Sequence, residues 1–205
     1  MENEEFTVET DQEKTYSEKN EKKKRSALKY VLEGLIYIAL IVVCVYVVPN
    51  YVVQRTIVSG ESMEDTLHDG ESLLIDKISY RFSDPKRYDI IVFYPKGRDV
   101  NEYYVKRIYG LPGETIQIKG NDIYINNEKI DDPYPKDAMS TGGIAEEPYT
   151  LADDEYFVLG DHRSLSQDSR FLPEDDSNAP GPVKFENISG KVILRIWPLS
   201  KFGVP

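Results

Sequence analysis

Two serines, Ser59 and Ser62, bracket a Gly-Glu pair in the stretch Ser59-Gly-Glu-Ser-Met-Glu-Asp-Thr-Leu67. A serine hydroxyl is a competent nucleophile only when a base takes its proton. Histidine is the usual base, but the chain has just two, His68 and His162. Lysine can replace it where apolar surroundings lower the amine pKa enough to populate the neutral form near pH 7. The lysine to look for therefore lies inside an apolar strand. In Glu102-Tyr-Tyr-Val-Lys-Arg-Ile-Tyr-Gly110, strand alternation puts Tyr104, Lys106 and Ile108 on one face. Tyr103, Val105, Arg107 and Tyr109 fall on the other. Lys86, Lys96, Lys119, Lys129 and Lys136 sit instead in polar turns. From the pattern alone, Lys106 is either a desolvated base for Ser62 or an edge-strand lysine with its ammonium in water.

Composition closes off other chemistry. A formal net charge of −11 argues against a nucleic-acid partner, because phosphate binding needs a basic face. The single cysteine, Cys44, excludes an internal disulfide and any cysteine-cluster metal site. Two isolated histidines argue against a histidine-based metal site, so no metal or cofactor is expected.

The elements that must position these residues follow from the pattern. Residues 1–27 are polar and end in Lys22-Lys-Lys-Arg25, which predicts a disordered tail. Residues 28–49 are apolar on all sides rather than on one face, which predicts a transmembrane anchor closed by Pro49 and Asn50. No Ala-x-Ala-like site follows the run, so a cleaved leader fits less well. The positive cluster before it places the tail in the cytoplasm and residues 50–205 outside. Those residues read as short strands: Ser72–Ser79, Tyr88–Pro95, Glu102–Gly110, Glu155–Asp161 and Gly190–Leu199. Gly120-Asn121 between two alternating runs predicts a hairpin. It belongs to a small hairpin and loop insertion at about 114–153, with loops expected at 131–149 and 173–182. The expected fold is an all-β ectodomain, a partly closed barrel or sandwich, behind one N-terminal transmembrane helix. Trp197 and Phe202 either rest at a membrane interface or pack in the core.

Four blocks, in order, resemble the type I (leader) signal peptidases, in the short single-span form of Gram-positive bacteria. They are Ser59–Leu67, Arg87–Phe93, Tyr104–Glu114 and Gly160–Arg170. The resemblance implies a Ser–Lys dyad, with Ser62 as nucleophile and Lys106 as general base. It implies that the Ser62 main-chain N–H donates to the oxyanion. Gly60 stands where some members carry a second, hydroxyl donor, so that donor would be main-chain or water. Met63 would pack beneath the nucleophile turn. Ser166 would position the lysine amine. Asp168 and Arg170 would form a structural ion pair that involves Arg107.

Two positions depart from the family pattern. Asp65 replaces a usual proline and would put a negative charge near Lys106. His162 replaces a usual asparagine. It is either a loop residue making local hydrogen bonds or a base, as in the related endoplasmic-reticulum enzymes. His68, beside Asp69-Gly70, reads as a turn residue. The implied activity is removal of signal peptides from secreted preproteins after Ala-x-Ala-like sites. The implied partners are those preproteins and membrane lipid, with the secretion translocon a further one that the location allows. An extended substrate would add to strand edges, for which Gln54–Ser59 and Asp76–Tyr80 are candidates. Repressor-type autoproteases share the dyad, but they are soluble and carry DNA-binding domains. The alternative from another class is a non-cleaving relative that assists surface-fibre assembly, which Asp65 keeps open.

Overall fold

The computed structural model describes residues 16, 29–64, 66–100, 102–135, 137–174 and 176–205. Apart from Tyr16, the tail expected over 1–27 lies outside the described residues, and so does Asp65. The chain divides between Pro49 and Asn50 into two compact units.

In the first unit, helix α1 (Lys29–Val52) starts, and it is long and apolar enough to cross a membrane. At 1.5 Å per residue its 24 residues reach about 36 Å, beyond the ~30 Å of a hydrocarbon core. Its last ten residues, Val43–Val52, are wound as a π-helix that contains Pro49. The helix thus runs past the expected stop at Pro49-Asn50. Proline has no N–H for the ladder and its ring crowds the carbonyl one turn earlier, and the wider winding opens that turn.

The second unit is all β, as expected, with only short 3-10 turns besides its strands among the described residues. The strands are β1 (Val53–Ile57), β2 (Ser72–Asp76), β3 (Ile90–Phe93), β4 (Tyr104–Gly110), β5 (Thr115–Lys119) and β6 (Asp122–Ile125). There follow β7 (Glu128–Lys129), β8 (Tyr149–Thr150), β9 (Glu155–Leu159), β10 (Val183–Lys184) and β11 (Ile188–Trp197). Seven form one curled, half-barrel sheet in the order β1-β2-β11-β3-β4-β9-β10. The other four form a separate sheet, β7-β6-β5-β8, whose β5–β6 turn places Gly120 at φ +62°, as a tight hairpin requires.

Three apolar clusters hold the unit together. One, built on Tyr109, Ile116, Ile118, Ile123 and Phe157, ties the small sheet to the large one. Another gathers Val58, Met63, Leu67, Leu73, Ile75 and Val192 under the segment that carries Ser62. The third packs Ile91, Phe93, Ile108 and Val158. β4 lies centrally, between β3 and β9, and Lys106, Arg107, Ile108 and Tyr109 are all buried. Lys106 is 4% exposed, which excludes the reading that leaves its ammonium in water.

Two expectations need correction. Asp76–Tyr80 is no edge: Asp76 ends an interior strand, and Ser79–Arg81 forms a 3-10 turn in which the Asp76 carboxylate accepts from the Ile78 and Ser79 main-chain N–H groups. Trp197 and Phe202 are not core residues, being 56% and 60% exposed.

Candidate active site

Ser62 and Lys106, 44 residues apart in sequence, meet across the cleft between the β1–β2 connection and β4. Lys106 Nζ donates to Ser62 Oγ at 2.5 Å. With the amine neutral, the same contact runs the other way, from the serine O–H to the nitrogen lone pair. Lys106 is only 4% exposed. Burial lowers its pKa from 10.5 to about 8; Asp168 and Asp161 pull it partly back, and Arg170 adds a further downward push. An amine with that pKa is neutral in a useful fraction of molecules near neutral pH, which an ordinary lysine is not.

The same burial makes a prediction about stability. Below about pH 8 the amine is charged in both folded and unfolded chains, and the folded state carries the full cost of the buried charge. Between 8 and 10.5 only the unfolded chain holds the proton, so stability rises with pH; above 10.5 neither does. Lys106→Met is therefore expected to stabilise the protein at pH 7 by on the order of 3 kcal/mol, an advantage that fades as pH approaches the ordinary lysine range. Denaturant unfolding of both proteins from pH 7 to 11 checks it.

The seat of Ser62 is built from both sides. Met63, 2% exposed, anchors the turn in the core. Gly60 has φ +94°, a conformation that favours glycine, and its N–H donates to Asp69 Oδ1 at 2.9 Å. That N–H is thus committed elsewhere. From the opposite side, the His162 main-chain N–H donates to the Ser62 carbonyl at 3.1 Å. The His162 ring Nδ1 lies 3.2 Å from the Glu61 carbonyl, and Nε2 lies 3.8 Å from Asp137. His162 therefore braces the serine turn, and the recorded partner of Ser62 Oγ is Lys106. Beside it, Gly160 packs so closely that a Cβ there would overlap Ser166 Oγ and the Ser62 carbonyl.

The Gly160–Arg170 loop is held by buried charge. Asp168 and Arg170 pair at 2.8 Å, and Asp168 also accepts from the Gly160 N–H. Arg170 reaches the carbonyls of Arg163 and Ser166 as well. Arg107 does not join that pair. Its Nε and Nη2 grip Asp161 at 3.0 and 2.7 Å, Thr66 Oγ1 donates to the same carboxylate at 2.6 Å, and Tyr134 stacks on the guanidinium at 3.7 Å. The reason is direction: Arg107 faces away from Lys106 along the strand, toward Asp161. Ser166 also departs from expectation. Its buried Oγ has no hydrogen-bond partner among the described residues, so it packs by Gly160 and makes no hydrogen bond to the lysine amine.

Asp161 and Arg163 were not singled out by the sequence, though both lie in the last quoted block. Arg163, 2% exposed, donates to the Gly160 carbonyl and the Tyr109 hydroxyl and pairs with Asp132 at 2.8 Å. The available signal was the need of any buried arginine for a carboxylate. His68 sits at the surface near Lys201 and Glu71, far from this chemistry in role.

Ser62 opens into a cleft of about 810 Å³. One wall is the outer edge of β1 and the segment after it, from Thr56 to Met63; the other is Glu102–Lys106. β1 ends the sheet, and β9 begins to pair with β4 only at Arg107, so Tyr104–Lys106 has a strand partner on one side alone. Among the described residues, two strand segments paired on one side only thus flank Ser62. Among the described residues no cluster of histidine, cysteine and carboxylates could hold a metal ion. The arrangement can do nucleophilic acyl chemistry on an extended chain.

A family model described as "Signal peptidase, peptidase S26" matches residues 28–197. The chain is 35% identical over 179 residues to a signal peptidase I of Leptolyngbya laminosa, spanning 84% of this chain and 83% of that one. It is 40% identical over 159 residues to a signal peptidase I of Bacillus amyloliquefaciens, covering 74% and 84%. It is 32% identical over 189 residues to signal peptidase IB of Staphylococcus aureus strain COL, covering 85% and 93%. A solved signal peptidase I of Enterococcus faecalis V583 matches with 29% identity and a TM-score of 0.40, over 53% of this chain and 97% of that one. The chain belongs to the signal peptidase family of serine peptidases, peptidase S26.

Proposed function

We propose that this peptidase is a single-span membrane protein that uses a Ser62–Lys106 dyad to cut signal peptides from secreted preproteins. The observation that carries the reading is the 2.5 Å contact between Ser62 Oγ and a lysine amine that is buried and weakly basic. Neutral Lys106 takes the Ser62 proton as Oγ attacks the scissile carbonyl. The ammonium then gives that proton to the departing amine. Water, deprotonated by the same lysine, releases the acyl group and restores Ser62. The Ser62 main-chain N–H donates to the oxyanion; with the Gly60 N–H tied to Asp69, a second donor comes from other main chain or from water. Asp168, Arg170 and Arg107 act by holding the loop and strand that set this geometry.

The substrate lies extended between the β1 edge and Tyr104–Lys106, adding main-chain hydrogen bonds to both. Val58, Met63 and Val105 give the cleft apolar walls that suit small side chains at the −1 and −3 positions. Helix α1 spans the membrane with its N-terminus in the cytoplasm, so cleavage occurs on the outer face, where preproteins leave the translocon. Holding enzyme and substrate in one bilayer raises their effective concentration.

The test is cleavage of a preprotein by the full chain in detergent, with the product N-terminus sequenced. Cleavage immediately after Ala-x-Ala is expected, and it should cease when the −1 alanine becomes phenylalanine. A folded wild type that leaves the preprotein intact would instead support the assembly-factor alternative.

A further inference from the structure

Away from Ser62, a second concavity of about 200 Å³ lies where the end of β2 meets the start of β11. It gathers three cations, Lys77, Arg81 and Arg98, against one carboxylate-bearing residue, Glu186, on a chain whose net charge is −11. Among the described residues none of the three cations makes an ion pair with a carboxylate. Two are oriented. Arg98 Nε and Nη2 donate to the carbonyls of Glu186 and Ile188 at 2.6 and 2.9 Å, and its guanidinium stacks on Tyr94 at 5.0 Å. A guanidinium has five donors, so the fork is fixed with donors to spare. Lys77 Nζ donates to Gln54 Oε1 at 3.1 Å and keeps two more protons.

The position of the cleft says what anion it meets. The Lys77 main-chain N–H donates to the carbonyl of Val52, the last residue of α1, and Gln54 lies two residues further on. Lys77 thus lies beside the residue at which the chain leaves its apolar helix. Phe82, next to Arg81, is 83% exposed, and Phe185 in the cleft is 40% exposed. Exposed aromatics beside cations are suited to the boundary between headgroups and acyl chains.

We propose that Lys77, Arg81 and Arg98 form a binding site for the phosphate of an anionic lipid headgroup. The site rests on the reading of α1 as a membrane span, and it is separate from the peptidase chemistry. Each cation facing the phosphate should contribute about fivefold in affinity.

The full chain in neutral detergent is titrated with dihexanoylphosphatidylglycerol, with dihexanoylphosphatidylcholine and with inorganic phosphate, while NMR follows the Ile188 methyls and the Ser189 amide. Saturable shifts are expected with the glycerol lipid at concentrations where the choline lipid gives none. Lys77→Gln with Arg81→Gln leaves the main-chain bonds of Arg98 intact and should weaken binding about 25-fold. Glu186→Gln should tighten it. Equal shifts from both lipids, or an unchanged affinity in the double variant, would overturn the site. Saturation by inorganic phosphate at the same concentrations would overturn the lipid as its ligand. Preprotein cleavage in the same samples reports separately on the peptidase reading, since none of these residues lies in the Ser62 cleft.

Discussion

Lys106→Ala is expected to lower the rate of preprotein cleavage by about 10²–10⁴-fold, the range for loss of a positioned general base. Ser62→Ala, which removes the nucleophile, costs at least as much, and the double variant is no worse than the more damaging single one, because the two residues act as a unit. The wild-type rate should rise with pH through about 8 as Lys106 sheds its proton, and should fall about tenfold per unit well below that value. That limb disappears in Lys106→Ala. His162→Asn, which keeps a polar group to brace the Glu61–Ser62 turn, should retain activity within tenfold and preserve the limb. An initial-rate profile from pH 6 to 10 for the five proteins is the measurement. A surviving limb in Lys106→Ala, with loss in His162→Asn, would transfer the role of base to His162.

The second large effect is on stability. Asp161 and Arg107 are essentially buried, with side-chain exposures of 0% and 4%, and are bonded twice to each other. Asp161→Ala leaves a guanidinium in the interior that cannot lose its proton. The expected cost is about 3–5 kcal/mol, or a fall in Tm of roughly 10 °C for a unit of this size. Removing both charges as Asp161→Leu with Arg107→Met should recover much of that, since the penalty comes from the orphaned partner more than from the lost attraction. Thermal unfolding in detergent of Asp161→Leu, Arg107→Met and the double variant decides it. A double variant as unstable as the sum of its parts would mean that the pair adds little beyond packing.

Strands with several alternating or apolar residues were legible in the sequence: β3, β4, the β5–β6 hairpin and β9 appear close to where the pattern puts them. β7, β8 and β10 have two residues each, too few to carry a period, and they exist because a neighbour offers pairing. The desolvation of Lys106 was foreshadowed by its apolar neighbours, but its meeting with Ser62 joins segments 44 residues apart, which no local pattern reveals. The choice of Asp161 rather than Asp168 as partner for Arg107 was invisible for a similar reason. Both carboxylates sit in one short loop, and only the path of that loop across the sheet decides which of them meets which face of β4. The substrate wall opposite β1 was misplaced onto Asp76–Tyr80 because strand composition does not tell an edge from an interior strand.

The neighbours Lys106 and Arg107 point to opposite sides of β4 while Ile91 opposite Lys106 sets the register. A slip by one residue would exchange them. It would turn toward Ser62 a guanidinium that holds its proton at any physiological pH, and toward Asp161 an amine lacking the planar fork that now grips both carboxylate oxygens. The shifted chain would be catalytically dead and short of one charge-assisted hydrogen bond. Two consecutive cations of unlike chemistry thereby act as a key for strand alignment: the pairing that builds the reactive centre is also the pairing that satisfies the buried charge. Molecules that mispair while the β unit folds would forfeit stability and, on the proposed mechanism, activity together.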